Sequence, residues 1–385
     1  MKRKIKSLIS LLLSCLMVFT LFIQAAYAKK AETEDKLVIF SIGAGRKYFS
    51  EAEIKSIINK AYENGYTSVQ LILGNEGLRF FLDNMAVSGY ESDQVKDALN
   101  LGNKSYYDDP EGSYLTEGEM NRIIDYAARR KIEIIPVINS PGHMAAVIYG
   151  MERLGIEHPQ YKDKTDTVDL ENGEAVAFTK ELTEKYVKYF SEKGNTNIFG
   201  LGCDEYGGGG GRACWEQLQQ TGKYKIFISY VNELAKMVKS SGLKPMCFND
   251  GIYYAENDIM GSFDKDIIVS YWTKGWRTPS YSYNVASAKY LSEKGHKILN
   301  TNDGWYWVIG NNGFRKEDNG YGYVKALFKT STMNFNNVRG GRKIPTIGSM
   351  QCVWADFPEE KTDYSKIFKL MHFFSKKNRK YMRKI

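Results

Sequence analysis

Asn197-Ile198-Phe199-Gly200-Leu201-Gly202-Cys203-Asp204-Glu205 is the stretch on which the fold turns. After Asn197, the next six residues are apolar or glycine, the pattern of a short strand buried on both faces of a parallel sheet. Five glycines, Gly207 to Gly211, follow almost at once, so the two carboxylates stand where a strand opens into a loop. In parallel α/β proteins that end of the strand carries the active site. Adjacent carboxylates repel one another and are costly to desolvate, so the pairing asks for a chemical reason.

Outward from this strand, the same kind of run recurs along the chain. Leu37–Ile42, Ser68–Leu73, Glu133–Ile138, Asn197–Cys203, Lys244–Phe248, Asp266–Trp272, His296–Asn300 and Thr346–Trp354 read as strands. Amphipathic segments lie between them, near Glu51–Asn64, Glu117–Arg130, Glu174–Glu192, Lys225–Ser240, Val285–Lys294 and Tyr321–Leu327, and Tyr364–Phe374 closes the chain. Thr116 and Glu119 have the spacing of a helix capping box. Eight strands alternating with helices predict an α/β fold, a (β/α)8 TIM barrel in a single domain. The alternative is an open, doubly wound sheet. It would carry a glycine-rich nucleotide turn after its first strand, and Ser41-Ile42-Gly43-Ala44-Gly45-Arg46 lacks the third glycine of that turn.

The amino terminus predicts export. Lys2, Arg3, Lys4 and Lys6 precede an apolar stretch from Leu8 to Ile23, and Ala26-Tyr27-Ala28 supplies a small-residue cleavage site. Residues 1–28 are therefore expected to be a signal peptide and 29–36 a short polar linker, with the barrel and a basic tail filling 37–385. Loss of the leader's four basic residues lowers the formal charge from +8 to +4. Much of the remainder lies in Lys376, Lys377, Arg379, Lys380, Arg383 and Lys384, which could touch an anionic cell wall but more simply form the solvated face of a helix. No segment resembles a nucleic-acid-binding module. Cys203, Cys214, Cys247 and Cys352 are too scattered for a disulfide framework, although a Cys203–Cys214 bridge is conceivable in an exported protein. Neither they nor the four histidines have metal-ligand spacing, so no metal and no cofactor are expected.

The strands end in Arg46, Asn75-Glu76, Asn139-Ser140-Pro141-Gly142-His143, Asp204-Glu205, Asn249-Asp250, Trp272, Asn302-Asp303 and Trp354-Ala355-Asp356. Trp272, Trp276, Trp305, Trp307 and Trp354, five of the six tryptophans, fall at or just past these ends. Aromatic faces beside carboxylates suit the C–H face and hydroxyls of a sugar. Most glycosidases flank the scissile bond with two carboxylates, but neighbours on one strand point to opposite sides. Asp204 and Glu205 are therefore poorly placed to face each other across it. A substrate that brings its own nucleophile resolves the geometry. The acetamido oxygen of an N-acetylhexosamine can attack the anomeric carbon, with Glu205 protonating the leaving oxygen and Asp204 orienting the amide N–H. A phenol opposite, such as Tyr306, can align the acetamido carbonyl.

These residues resemble glycoside hydrolase family 20, the β-N-acetylhexosaminidases, over nearly the whole chain from Leu37. Gly45-Arg46-Lys47-Tyr48-Phe49, Ile134 through His143, Gly202-Cys203-Asp204-Glu205, Trp305-Tyr306 and Trp354-Ala355-Asp356 carry the resemblance. It implies that Glu205, Asp204 and Tyr306 are catalytic and that Arg46 and Asp356 hold sugar hydroxyls. Trp272 and Trp354 would wall the ring, and His143, Asp250 and Trp305 join the expected substrate-binding set. Gly43, Asn139, Cys203 and Phe248 depart from the family, which more often has Asp, Asp, Gly and Trp there. Gly-Arg-Lys-Tyr-Phe, Asn139 through Met144 and Phe248 through Tyr254 are most similar to the surface exo-β-N-acetylglucosaminidases of Gram-positive bacteria, with dispersin-type enzymes next.

The resemblance implies a secreted or cell-surface enzyme acting on glycans or polysaccharide with terminal β-linked N-acetylglucosamine, retaining, and with the acetamide as nucleophile. The chain stops at Ile385 without a wall-sorting signal, so a freely secreted enzyme or an incomplete copy is expected. The alternatives are a hydrolase of β-1,6-linked poly-N-acetylglucosamine and a catalytically silent glycan-binding barrel.

Overall fold

The computed structural model describes residues 36–107, 112–207, 212–273, 277–278, 281–282, 284–313 and 320–382. The expected leader, nearly all of the linker, Trp276, four of the loop glycines, Arg383 and Lys384 lie outside them.

Eight parallel strands close on themselves: β1 (Leu37–Ile42), β2 (Ser68–Asn75), β3 (Glu133–Ser140), β4 (Ile198–Gly202), β5 (Lys244–Phe248), β6 (Ile268–Tyr271), β7 (Ile298–Asn300) and β8 (Thr346–Trp354). Each pairs with its neighbours in sequence, and β1 pairs with both β2 and β8, which completes the (β/α)8 barrel. Leu37 pairs with Gly348 and Ile42 with Val353 without a break, whereas register shifts occur where β3 meets β4 and where β4 meets β5. Those irregularities flank the carboxylate pair, the usual place for a bulge that re-aims a side chain.

Alternation along the strands sorts the apolar residues into two cores. Ile39, Ile135, Ile198, Met246, Ile268, Leu299 and Met350 fill the barrel interior. Phe40, Ile42, Val69, Leu71, Phe199, Leu201 and Val269 face outward and pack beneath the helices. Those helices are α1 (Glu51–Glu63), α2 (Ser92–Tyr107), α3 (Glu117–Ala128), α4 (Ala145–Arg153), α5 (Gly173–Lys193), α6 (Arg212–Gln220), α7 (Tyr224–Ser240), α8 (Ala288–Glu293), α9 (Tyr321–Leu327), α10 (Thr330–Met333) and α11 (Tyr364–Met382), of which α2, α4, α6 and α10 lie outside the amphipathic segments read from the sequence. The capping box at Thr116 is formed: its hydroxyl accepts from Glu119 N and the Glu119 carboxylate accepts from Thr116 N. Ser50 and Glu53 start α1 in the same way. Each such cap is worth about 1 kcal/mol.

The last helix packs against the segment between α1 and β2. Phe374 of α11 stacks on Tyr66 at 6.1 Å, and Ser375 hydrogen-bonds the Asn64 carbonyl. Lys376, Lys377, Arg379 and Lys380 lie on its exposed face, as a solvated helix surface should. No helix among the described residues is long and apolar enough to cross a membrane. All four described cysteines are free, including Cys203 and Cys214, so the conceivable bridge between those two is not formed.

Candidate active site

At the carboxyl ends of the strands lies an open cavity of about 200 Å3, lined by Arg46, Asn75, His143, Asp204, Glu205, Phe248, Trp272, Tyr306, Val308, Trp354 and Asp356. Arg46 enters from the turn after β1. Gly45 makes that turn possible, since a Cβ there would sit 2.5 Å from Asn75 N. The Arg46 guanidinium donates to Asn75 Oδ1 at 2.7 Å and pairs with the Asp356 carboxylate, with Glu76 3.7 Å away. A cation fixed by acceptors on two neighbouring strands is ready to serve sugar hydroxyls without reorganising.

The carboxylates leave β4 through a turn with left-handed backbone. Gly202, Cys203 and Glu205 have φ of 70°, 64° and 47°. Strand alternation therefore ends before Asp204, and both side chains reach the same cavity. That corrects the expectation that they point to opposite sides. Asn139 and Asp250 hold the turn from two directions. Asn139 Oδ1 accepts from Cys203 N at 3.1 Å and its Nδ2 donates to Asp204 Oδ1 at 2.7 Å. Asp250 Oδ2 accepts from Glu205 N at 2.7 Å, and its Oδ1 accepts from the Trp272 indole at 3.3 Å. Non-glycine residues in this conformation cost of order 1–3 kcal/mol each, which such contacts offset.

His143 links the groups. Its Nδ1 is 2.7 Å from Glu76 Oε1, and its Nε2 is 3.4 Å from Glu205 Oε2 and 3.6 Å from Asp204 Oδ2. Burial works against a charge on this imidazole, but Asp204, Glu205 and Glu76 outweigh it and push its pKa well above the ordinary value. Burial likewise raises Asp204, with His143 and Asn139 opposing and Glu205 adding to the rise. For Glu205, burial is outweighed by His143 and Arg46, and its pKa is lowered. Asp250 is pushed up to about 8 by burial and by the charge of Asp204. His143 is thus the proton holder among three crowded carboxyls.

Across the cavity the wall is aromatic. Tyr306 lies nearly parallel to Trp272 at 6.3 Å and edge-on to Trp354 at 6.0 Å, and Phe248 contacts Trp354. Tyr306 lines the cavity, and its buried hydroxyl has no hydrogen-bond partner among the described residues. Burial pushes its pKa well up, so it is a phenol with a proton to donate.

The structure gathers Glu205, Asp204, Tyr306, Arg46, His143, Trp272, Trp354 and Asp356 around this one cavity. Two expected sugar contacts are placed elsewhere. Trp305 is fully buried, packs edge-on against Phe374 at 5.0 Å and donates to the Leu327 carbonyl. It supports the outer helix layer. Asp250 lies behind the wall, committed to Glu205 and Trp272. Trp307 is also buried, bonded to the Asn311 carbonyl. Sequence reading gave no role to Asn75, Glu76, Phe248 or Val308. Asn75-Glu76 did stand at a strand end, which was the available signal, whereas Val308 gave none. Glu76, His143 and Asp166 form a grouping with donor atoms within 4.8 Å, of the kind that can bind a metal ion. The short His143–Glu76 hydrogen bond already occupies two of those donors and suits a proton relay better than a ligand set.

Residues 75–369 match the model for the catalytic domain of glycosyl hydrolase family 20. The chain belongs to this family. Two solved structures of the pneumococcal exo-β-D-N-acetylglucosaminidase StrH, a virulence factor with tandem catalytic modules, share 42% and 43% identity with it. Each has a TM-score of 0.82 and covers 90% of this chain and 84% of the other. Dispersin B, at 19% identity and a TM-score of 0.64 over 89% of this chain and 98% of its own, shares the fold. Lacto-N-biosidase of Bifidobacterium bifidum is 26% identical over 280 residues, 68% of this chain. The chain spans about a quarter of that curated relative's length, 23%. The barrel is thus a glycoside hydrolase catalytic domain of family 20. Arg46 lies ahead of the matched segment, yet the barrel delivers it to the same cavity.

Proposed function

We propose that this protein is an exported, retaining exo-β-N-acetylglucosaminidase that uses the substrate's own acetamide as nucleophile. The observation that carries the reading is the unpartnered Tyr306 hydroxyl in the cavity that Asp204 also lines. An acetamide offers one acceptor and one donor. Tyr306 donates to its carbonyl, Asp204 accepts from its N–H, and the carbonyl oxygen is thereby aimed at the anomeric carbon. Asp204 then offsets the positive charge of the oxazolinium ion as it forms. Trp272 and Trp354 wall the ring, and Arg46 with Asp356 binds its hydroxyls.

Glu205 is the acid and later the base. It needs a proton that the resting arrangement keeps on His143, and the 3.4 Å contact is the route. As the leaving oxygen gains negative charge, transfer through Glu205 becomes favourable, and Glu76 steadies the imidazole from behind. StrH, described as acting on N-glycans, supports terminal β-linked N-acetylglucosamine of such glycans as the substrate class. The exposed basic face of α11 supports a salt-sensitive association with an anionic cell wall, and the leader-like residues 1–28 support export.

Hydrolysis of an aryl β-N-acetylglucosaminide followed by proton NMR tests the activity. First appearance of the β-anomer, and competitive inhibition by the thiazoline analogue of the oxazolinium ion, are expected. First appearance of the α-anomer contradicts a retaining mechanism, and indifference to the thiazoline contradicts the acetamide nucleophile. Secreted protein beginning at Lys29 would support the leader assignment. Full-length protein kept in the cell would contradict it.

A further inference from the structure

We propose that Asn139 is a positioning residue that gives the Asp204 carboxylate the same hydrogen-bond donor at every pH, because its amide cannot ionise. The inference rests on the proposed role of Asp204 as the sugar-side anion.

The orientation of the Asn139 amide is decided by its neighbours. The Cys203 backbone N–H is a donor and can be met only by the amide oxygen, so Nδ2 must face the Asp204 carboxylate. The side chain is buried, and the turn it grips makes room for it with a glycine. A Cβ at Gly202 would fall 1.9 Å from Asn139 Oδ1. The amide therefore has two tasks. One end holds the left-handed turn, and the other saturates Oδ1 of Asp204 and leaves Oδ2 for substrate and for His143.

The surroundings make the choice of an amide consequential. Facing or adjoining Asp204 are His143 from the end of β3, Glu205 and Cys203 on its own turn, Asp250 beyond β5 and Tyr306 beside β8. His143 is the group in that set whose charge favours an anion. An aspartate at 139 could still accept from Cys203 N, but it could serve Asp204 only by retaining a proton. Two buried carboxyls sharing one proton titrate as a pair, with the second ionisation displaced upward by their mutual repulsion. Below that ionisation the protonated member imitates the amide. Above it both are charged, Asp204 loses its donor, and the two repel one another.

Asn139→Asp is therefore expected to retain near-normal kcat/KM at acid pH and to lose it as pH rises. The profile is measured with an aryl N-acetylglucosaminide bearing a good leaving group, so that protonation by Glu205 does not limit the rate. A descending limb at least about one pH unit below any in the wild type is expected, with about tenfold loss per further unit. Activity at acid pH reports that the variant is folded. Asn139→Ala, which removes both tasks and adds no titrating group, is expected to lower kcat/KM at every pH without a new limb. Superimposable Asn139→Asp and wild-type profiles would overturn the inference, because a residue that only clasps the turn is replaced by any acceptor. Equal, pH-independent losses in both variants would overturn it as well. Asp204→Asn separates the layers. Its inactivity together with superimposable Asn139→Asp and wild-type profiles contradicts this inference alone, whereas wild-type activity in Asp204→Asn contradicts the role of Asp204 and this inference with it.

Discussion

The two sides of the cavity are built on opposite plans. On the β3–β5 side, Asp204 and Glu205 sit on a left-handed turn gripped by Asn139, Asp250 and His143, so each reacting group already has a partner. On the β6–β8 side, Trp272, Tyr306 and Trp354 form an aromatic wall in which the Tyr306 phenol has no hydrogen-bond partner among the described residues. The first side is preorganised against itself; the second is incomplete until a ligand arrives. A crowded set of carboxyls must be held, because repulsion would otherwise scatter it, whereas a neutral phenol can wait at modest cost.

Breaking the held side is expected to have the largest effect. Glu205→Gln should lower kcat/KM on glycans with poor leaving groups by about 10²–10⁴-fold, and by much less on activated aryl substrates. Equal losses on both would remove Glu205 from the acid role. Next comes the waiting side. Tyr306→Phe should lower kcat by about 10²–10³-fold, the range for loss of one donor at a developing charge, with KM little changed. A rise in KM alone would make Tyr306 a binding residue. Trp354→Ala is expected to raise KM about tenfold through loss of one face of the sugar platform. The smallest catalytic effect belongs to Trp305→Ala. Calorimetry should show a stability loss of about 3–5 kcal/mol, with an unchanged kcat/KM for the folded enzyme.

The pH dependence of stability sharpens the same contrast. His143 is raised above its ordinary value of 6.5 by the held side's carboxylates. Its contribution is therefore complete below about pH 6.5 and is lost as pH climbs through the raised value. Glu76→Gln should weaken that dependence in thermal melts across this window, whereas Tyr306→Phe should leave it unchanged.

Much of this was legible in the chain. Leu37–Ile42, Lys244–Phe248 and Thr346–Trp354 have the bounds read from their apolar runs, because apolar segments buried on both faces leave little choice. The capping box at Thr116 was equally plain. Helices α2, α4 and α6 were not, since Ser92–Tyr107 mixes small and polar residues and the other two are short. Within the site, alternation was applied where it failed and omitted where it held. Asp204-Glu205 lies on a turn, so both side chains share a face. Trp305-Tyr306-Trp307 does alternate, Tyr306 facing inward and its neighbours outward, and that parity would have removed Trp305 from the sugar contacts. The part played by Asp250 depends on a backbone N–H brought to it by a bent turn, which no local pattern records.

The central claim is that the substrate supplies the nucleophile. Aryl N-acetylglucosaminides whose acetyl group carries none, one, two or three fluorines vary the basicity of that carbonyl and little else. A steep, monotonic fall in kcat across the series is the result expected if the carbonyl oxygen attacks the anomeric carbon between Tyr306 and Asp204. A flat series, with a glycosyl ester trapped on a carboxylate of the enzyme, would contradict it.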